Sequence, residues 1–116
     1  MRYVTLGAAL LAMAVMAAPV AAGADTRSDA KRQVQFGIQV AGHGLWREAA
    51  YRWRRAVEID PTYAAAWNNL AVAHEQSGEF EEARQAYERA LELEPNNATI
   101  QQNFDLFREI NERTSR

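Results

Sequence analysis

The chain has no cysteine, only two histidines, and three prolines and six glycines in 116 residues. Lack of cysteine excludes a disulfide framework, a thiolate zinc site, a thiol nucleophile and a lipid-modified cysteine anchor. Two histidines leave little material for metal or proton-transfer chemistry. Charge of one sign is also lacking: 13 Lys and Arg face 15 Asp and Glu, a net −2, which gives no global field to attract nucleic acid. What is present is globular. Apolar residues make up 48% and charged residues 24%, which excludes a wholly disordered chain. The length fits one small domain.

The start of the chain reads as a processing signal. Met1-Arg2 is followed by an apolar run from Val4 to Val15, broken only by Thr5 and Gly7. Small residues with the helix-breaking Pro19 lead to Ala24, and polarity begins at Asp25. That is the layout of a secretory signal peptide over residues 1–24, with a cut after Ala22 or after Ala24. An uncleaved inner-membrane anchor is the alternative; the run is short for a spanning helix of about 20 residues, and Pro19 interrupts its end. Export would place the remaining chain in a bacterial periplasm or outside the cell.

The body repeats. Residues 30–63 align without a gap on residues 64–97. Identities fall at Ala30/Ala64, Gly44/Gly78, Glu48/Glu82, Ala49/Ala83, Arg55/Arg89, Ala56/Ala90, Glu58/Glu92 and Pro61/Pro95. Like replaces like at Phe36/Leu70, Trp46/Phe80, Trp53/Tyr87 and Ile59/Leu93. A fixed period of this length dictates a stacked architecture. Each unit reads helix, glycine turn, helix, proline. In the second unit the helices are expected over about residues 63–76 and 80–93, with the turn at Ser77-Gly78-Glu79. A further helix is expected over about residues 98–112, after Glu94-Pro95-Asn96-Asn97 stops one helix and caps the next.

On these residues the chain resembles the tetratricopeptide repeat family, as a small exported bacterial member. The second unit carries Trp67, Leu70, Ala71, Gly78, Phe80, Ala83, Tyr87, Ala90 and Pro95. The first keeps Phe36, Gly37, Gly44, Trp46, Ala49, Trp53, Ala56 and Pro61, but has Gln33 where the family places a large aromatic. The resemblance implies an all-α fold, an α-solenoid of two helix-turn-helix units (30–63 and 64–97). Residues 25–29 form a short linker before them and 98–116 a C-terminal capping helix and tail. The packing logic agrees. Ala49, Ala56, Ala83 and Ala90 let paired helices approach, while Trp53 and Tyr87 fill the space beside them.

No residue set points to catalysis, a cofactor or a metal. His43 lies in a turn and His74 in a helix, at different repeat positions, and no carboxylates sit at ligand spacing around both. The Glu-rich stretches read as solvated helix faces. The three tryptophans are all accounted for by repeat positions. Charge is divided unevenly: residues 30–63 hold six basic residues against Glu48, Glu58 and Asp60, a net +3, whereas 64–97 hold Arg84 and Arg89 against seven Glu, a net −5. Arg52-Trp53-Arg54-Arg55 could be a nucleic-acid patch with an aromatic stacker. Trp53 is a core position by register, so pairing between neighbouring repeats, helped by Glu48–Arg52 within one helix, is expected instead.

The resemblance places binding on the concave surface lined by the first helix of each unit. One family position there reads Gln35, Asn69 and Asn103, a row of amides suited to the backbone of a bound peptide or helix, unless they bond to one another. Beside it run Val34/Asn68/Gln102 and Ile38/Val72/Leu106, with Glu75 and Glu109 nearer the helix ends. The cations with which some members clamp a C-terminal carboxylate are replaced here by Val34, Ile38, Thr99 and Asn103. The expected function is a non-enzymatic protein-interaction module, an adaptor or scaffold in the cell envelope, with a protein or peptide partner and neither nucleic acid nor metal. A self-associating structural component or accessory subunit of an envelope assembly or secretion complex is the alternative. Gln101, Asp105, Arg108 and Glu112 are expected to form a polar C-terminal cap. At the N-terminal end Val34, Phe36, Ile38 and Val40 alternate rather than follow one helical stripe, so apolar side chains are expected both into the array and away from it. They leave an open face, reached through Val34 and Val40, that supports a weak homo-oligomer.

Overall fold

A computed structural model describes residues 24–114. They form α1 (Ala24–Gly42), α2 (Trp46–Ile59), α3 (Ala64–Gln76), α4 (Phe80–Leu93) and α5 (Ala98–Thr114), with no strand among the described residues. α1 packs on α2 and α3 on α4 as antiparallel hairpins; α2 then packs on α3, and α4 on α5. α1 also meets α3, and α3 meets α5, so the three odd-numbered helices lie side by side. This is the α-solenoid that the repeat dictates.

The two hairpin turns are built alike. Gly44 and Gly78 adopt φ of +77° and +71°, the left-handed region that favours glycine. Each lets the chain leave its helix by the same pair of backbone bonds. Gly44 N–H donates to Ala41 O at 2.9 Å and Leu45 N–H to Val40 O at 3.0 Å; one repeat later Gly78 N–H reaches Glu75 O at 3.0 Å and Glu79 N–H reaches His74 O at 2.9 Å. Asn97 caps α5 as its side chain suggests, its Oδ1 accepting from Thr99 N–H at 3.1 Å and Ile100 N–H at 3.2 Å.

The core is made where small residues meet large ones. Ala49, Ala56, Ala83 and Ala90 are fully buried, and Trp53 and Tyr87 fill the space they leave. Trp53 joins Val34, Val57 and Leu70 in a cluster spanning α1, α2 and α3, and its indole N–H donates to Val34 O at 3.2 Å. Tyr87 joins Phe104 and Phe107 in a second cluster spanning α3, α4 and α5; its ring lies 5.5 Å from that of Phe104 and 5.6 Å from that of Phe107. Ala64, Ala90 and Ile100 form a third. Trp67 touches all three clusters from a half-buried position, and its indole N–H donates to Pro61 O at 2.8 Å. It therefore joins the two repeats. Gln33, one period earlier, offers no such ring, and its Oε1 is buried without a partner among the described residues.

Two expectations are corrected here. Residues 25–29 are helical, part of α1, rather than a linker. They are held by Arg27, whose Nε donates to Asp60 Oδ2 at 2.6 Å, whose guanidinium reaches the Thr62 hydroxyl at 3.2 Å, and which lies 4.7 Å from the centre of the Tyr63 ring. Val34 and Val40 do not belong to an outward face either. Val34 is 3% exposed within the first cluster and Val40 packs against it, because both sit on the side of α1 that meets α2. Phe36 and Ile38 are the exposed members, at 43% and 48%. The signal-peptide segment lies outside the described residues except for Ala24.

Candidate functional site

The surface formed by α1, α3 and α5 carries the residues singled out for binding. The period places Gln35, Asn69 and Asn103 at one level of successive helices, but they do not form an unbroken row of free amides. Asn103 Nδ2 donates to Asn68 Oδ1 at 3.1 Å, a bond between positions 35 residues apart that ties α5 to α3. Asn103 thus faces the position just before its counterpart on α3. Gln35 and Gln102 are exposed and Asn69 is half-buried, and none of the three spends its side chain on a hydrogen bond among the described residues. Each keeps two donors and an acceptor, the complement of an extended backbone.

An apolar row runs beside the amides. Ile38 and Leu106 are exposed, at 48% and 57%, whereas Val72 is half-buried against the second cluster. Ile38 and Leu106 lie two periods apart, with Val72 between them, and cannot cover one another, so they offer contact area to whatever lies along the surface. At one end Glu75 sits between this row and the core. Burial pushes its carboxyl above the usual range, against the opposing effect of a hydrogen bond from the Tyr87 hydroxyl. The Tyr87 hydroxyl is in turn pushed up, first by burial and then by the charge of Glu75 beside it.

The two ends of the array differ in chemistry. On α5, Gln101 Nε2 and Arg108 donate to Asp105 Oδ1 at 3.0 and 2.6 Å, and Arg108 lies 4.8 Å from the centre of the Phe104 ring. This is the polar cap expected from Gln101, Asp105 and Arg108; the Glu112 side chain lies outside those described. On α1, Phe36 occupies the position that Leu70 and Phe104 use to pack on the preceding unit, and is left 43% exposed. Arg52 covers part of it, its guanidinium 4.4 Å from the Phe36 ring centre and 5.4 Å from that of Tyr51.

Two of the three arginines of the basic run are spent locally. Arg52 pairs with Glu48 at 3.0 Å and Arg55 with Glu58 at 2.7 Å, both within α2, and Trp53 is 3% exposed and unavailable to stack on a base. Pairing between neighbouring repeats, expected for these arginines, is therefore replaced by pairing one helical turn away, where side chains three or four apart are already neighbours. Arg27–Asp60 is an ion pair that links distant segments, which the sequence did not advertise. Its signal was a lone arginine one period ahead of Pro61. His43 is exposed in its turn, and His74 Nδ1 lies 3.3 Å from Glu79 Oε1. Among the described residues no three or more His, Asp or Glu converge as metal ligands, and no helix is long and apolar enough to cross a membrane.

Two family models match: one described as tetratricopeptide repeat over residues 64–97, another as TPR repeat over residues 44–78. Among curated proteins, an uncharacterized protein of Methanocaldococcus jannaschii is 37% identical over 49 residues, which cover 42% of this chain. The match spans 57% of the length of that relative. Such repeats in general form protein-interaction surfaces without catalysis of their own. The first match coincides with the α3–α4 hairpin and the second runs from the first glycine turn to the second across α2 and α3, so the chain carries tetratricopeptide repeats over residues 44–97.

Proposed function

We propose that the chain is an adaptor or scaffold of the bacterial cell envelope that binds a peptide or helix of another protein along α1, α3 and α5. The observation that carries this reading is the pairing of unspent amides (Gln35, Asn69, Gln102) with the exposed aliphatic side chains of Ile38 and Leu106 on the same helices. Amides take up backbone groups and the aliphatic row supplies contact area. Export rests on the residue pattern of positions 1–24, and mass spectrometry of the protein recovered from periplasm tests it. A chain starting at Gly23 or Asp25 supports the signal-peptide reading; a chain retaining Met1 in the inner membrane supports the anchor.

Because Ile38 and Leu106 are exposed, changing each to Asp should abolish partner capture and leave helicity and melting unchanged. Capture undiminished in the double variant would overturn the concave-surface reading. The exposed Phe36, with Arg52 and Tyr51 beside it, favours a second reading in which the array associates with itself through its N-terminal end. One helix offers well under the about 800 Å² per side of a stable interface, so this association is weak and concentration-dependent. Sedimentation of the Phe36→Glu variant tests it: a parent that associates and a variant that does not would support it. No catalysis, cofactor or metal enters this reading.

A further inference from the structure

A cavity of about 220 Å³ lies where the ends of α3 and α4 meet α5, lined by Glu75, Gln76, Phe80, Phe107, Ile110 and Asn111. That is below the about 300–1,000 Å³ of sites that enclose a whole small molecule, and suits one long side chain. One side of it is apolar: Phe80 and Phe107 stand with ring centres 6.4 Å apart, beside Ile110, which is 55% exposed; Glu75, Gln76 and Asn111 make the rest polar. Its one ionisable group is Glu75. That carboxylate accepts a hydrogen bond from the Tyr87 hydroxyl, and among the described residues no cation pairs with it. Neighbouring cations are already engaged: Arg84 by Glu81 and Glu88, and Arg113 by Glu109.

We infer that this cavity binds a lysine or arginine side chain of a bound polypeptide, with the cation on Glu75 and the aliphatic stem against Phe80, Phe107 and Ile110. The inference rests on the concave-surface reading and deepens it, since Glu75 and Gln76 belong to α3 and Ile110 to α5. Charge decides the occupant. A wholly apolar side chain would strip water from Glu75 and return nothing to it. An acidic one would meet Glu75 within a repeat that carries seven Glu against Arg84 and Arg89. A cation on an apolar stem satisfies both parts of the site, and aromatic faces add attraction for it.

The test is nuclear magnetic resonance titration of the full chain with alanine pentapeptides carrying arginine, lysine, citrulline or norleucine at their centre. The arginine and lysine peptides should shift signals of Phe80, Phe107 and Ile110. Citrulline, which keeps the shape of arginine and lacks its charge, should bind at least about tenfold more weakly. Glu75→Gln, which still accepts from Tyr87, should bring the arginine peptide down to the level of citrulline. Phe80→Ala, at a position 47% exposed, should weaken all the peptides with helical content unchanged. Equal binding of citrulline or norleucine and arginine overturns the inference, as does an arginine response confined to the outer Glu81–Glu88 surface. Shifts at Ile38, Asn69 and Leu106 with none at the cavity would end it and leave the concave-surface reading standing. No response anywhere up to about 10 mM would end both.

Discussion

A Cβ added to Gly37 would lie 2.4 Å from Nε1 of Trp53 and 2.8 Å from two carbons of the same ring. One period later the same two places hold Ala71 and Tyr87, both fully buried. The repeats thus reach one packing with complementary volumes, glycine against the larger ring and alanine against the smaller. Gly37→Ala should destabilise the chain by about 1–3 kcal/mol, the overpacking outweighing the gain in helix propensity. Adding Trp53→Tyr should recover part of that loss, since the pair then copies the second repeat. Urea unfolding of both single variants and the double variant gives the coupling, and strictly additive losses would contradict the paired-volume account.

Asp60 makes the start of α1 sensitive to acid. Burial alone would raise its carboxyl, but hydrogen bonds from Thr62 and Arg27, together with the Arg27 charge, outweigh burial and hold it below the usual aspartate range. A depressed value means that its stabilisation is complete above the unfolded value of about 3.9 and is lost as pH falls through the lower folded one. Asp60→Asn should cost about 1–2 kcal/mol at neutral pH. The gap in urea midpoint between parent and variant should narrow progressively as pH falls below the unfolded value; a gap of constant size would contradict the assignment.

Trp67 joins all three core clusters, so its truncation is felt on both sides of the repeat boundary. Trp67→Ala should cost about 3–5 kcal/mol, a large part of the about 5–10 kcal/mol available to a domain of this size. The expected outcome is loss of cooperative melting at physiological temperature. Trp67→Phe retains most of the packing, lacks the bond to Pro61 O, and should lose about 1 kcal/mol through that bond. Cooperative melting of Trp67→Ala near the parent temperature would show that the repeats do not depend on this joint.

The polar cap is predicted to keep copies apart. Asp105 stands where the preceding repeats have Ala71 and Gly37 against the second helix of the unit, and Arg108 where they have His74 and Val40. Asp105→Ala with Arg108→Leu would give α5 an apolar outer side with nothing to cover it. The double variant should sediment as a concentration-dependent oligomer at unchanged helical content. A monomer would mean that the cap is dispensable.

The fold was legible because the period fixes it: Gly44 and Gly78, Pro61 and Pro95, and the small residues at Ala49, Ala56, Ala83 and Ala90 mark turns, stops and close contacts without reference to anything distant. The unreadable parts are those where one copy departs from the other. Arg27 has no counterpart that predicts a partner, so the helical start of α1 was hidden. The alternation of Val34, Phe36, Ile38 and Val40 did not disclose which pair faces α2. The Asn68–Asn103 bond depends on the stagger between α3 and α5, which no periodicity within one helix contains. At Gln33 the loss of the family aromatic was visible, whereas the burial of its Oε1 was not.

The central claim, that a polypeptide partner lies along α1, α3 and α5, is tested most directly by photocrosslinking in the living cell. A benzophenone side chain would replace Gln35, Ile38 or Leu106 on the concave helices, and Arg55 or Glu88 on the outer ones, all exposed positions at which the fold tolerates change. The account predicts discrete crosslinked products from the first three positions and none from the last two. Crosslinks from Arg55 and Glu88, with silence at Gln35, Ile38 and Leu106, would contradict it.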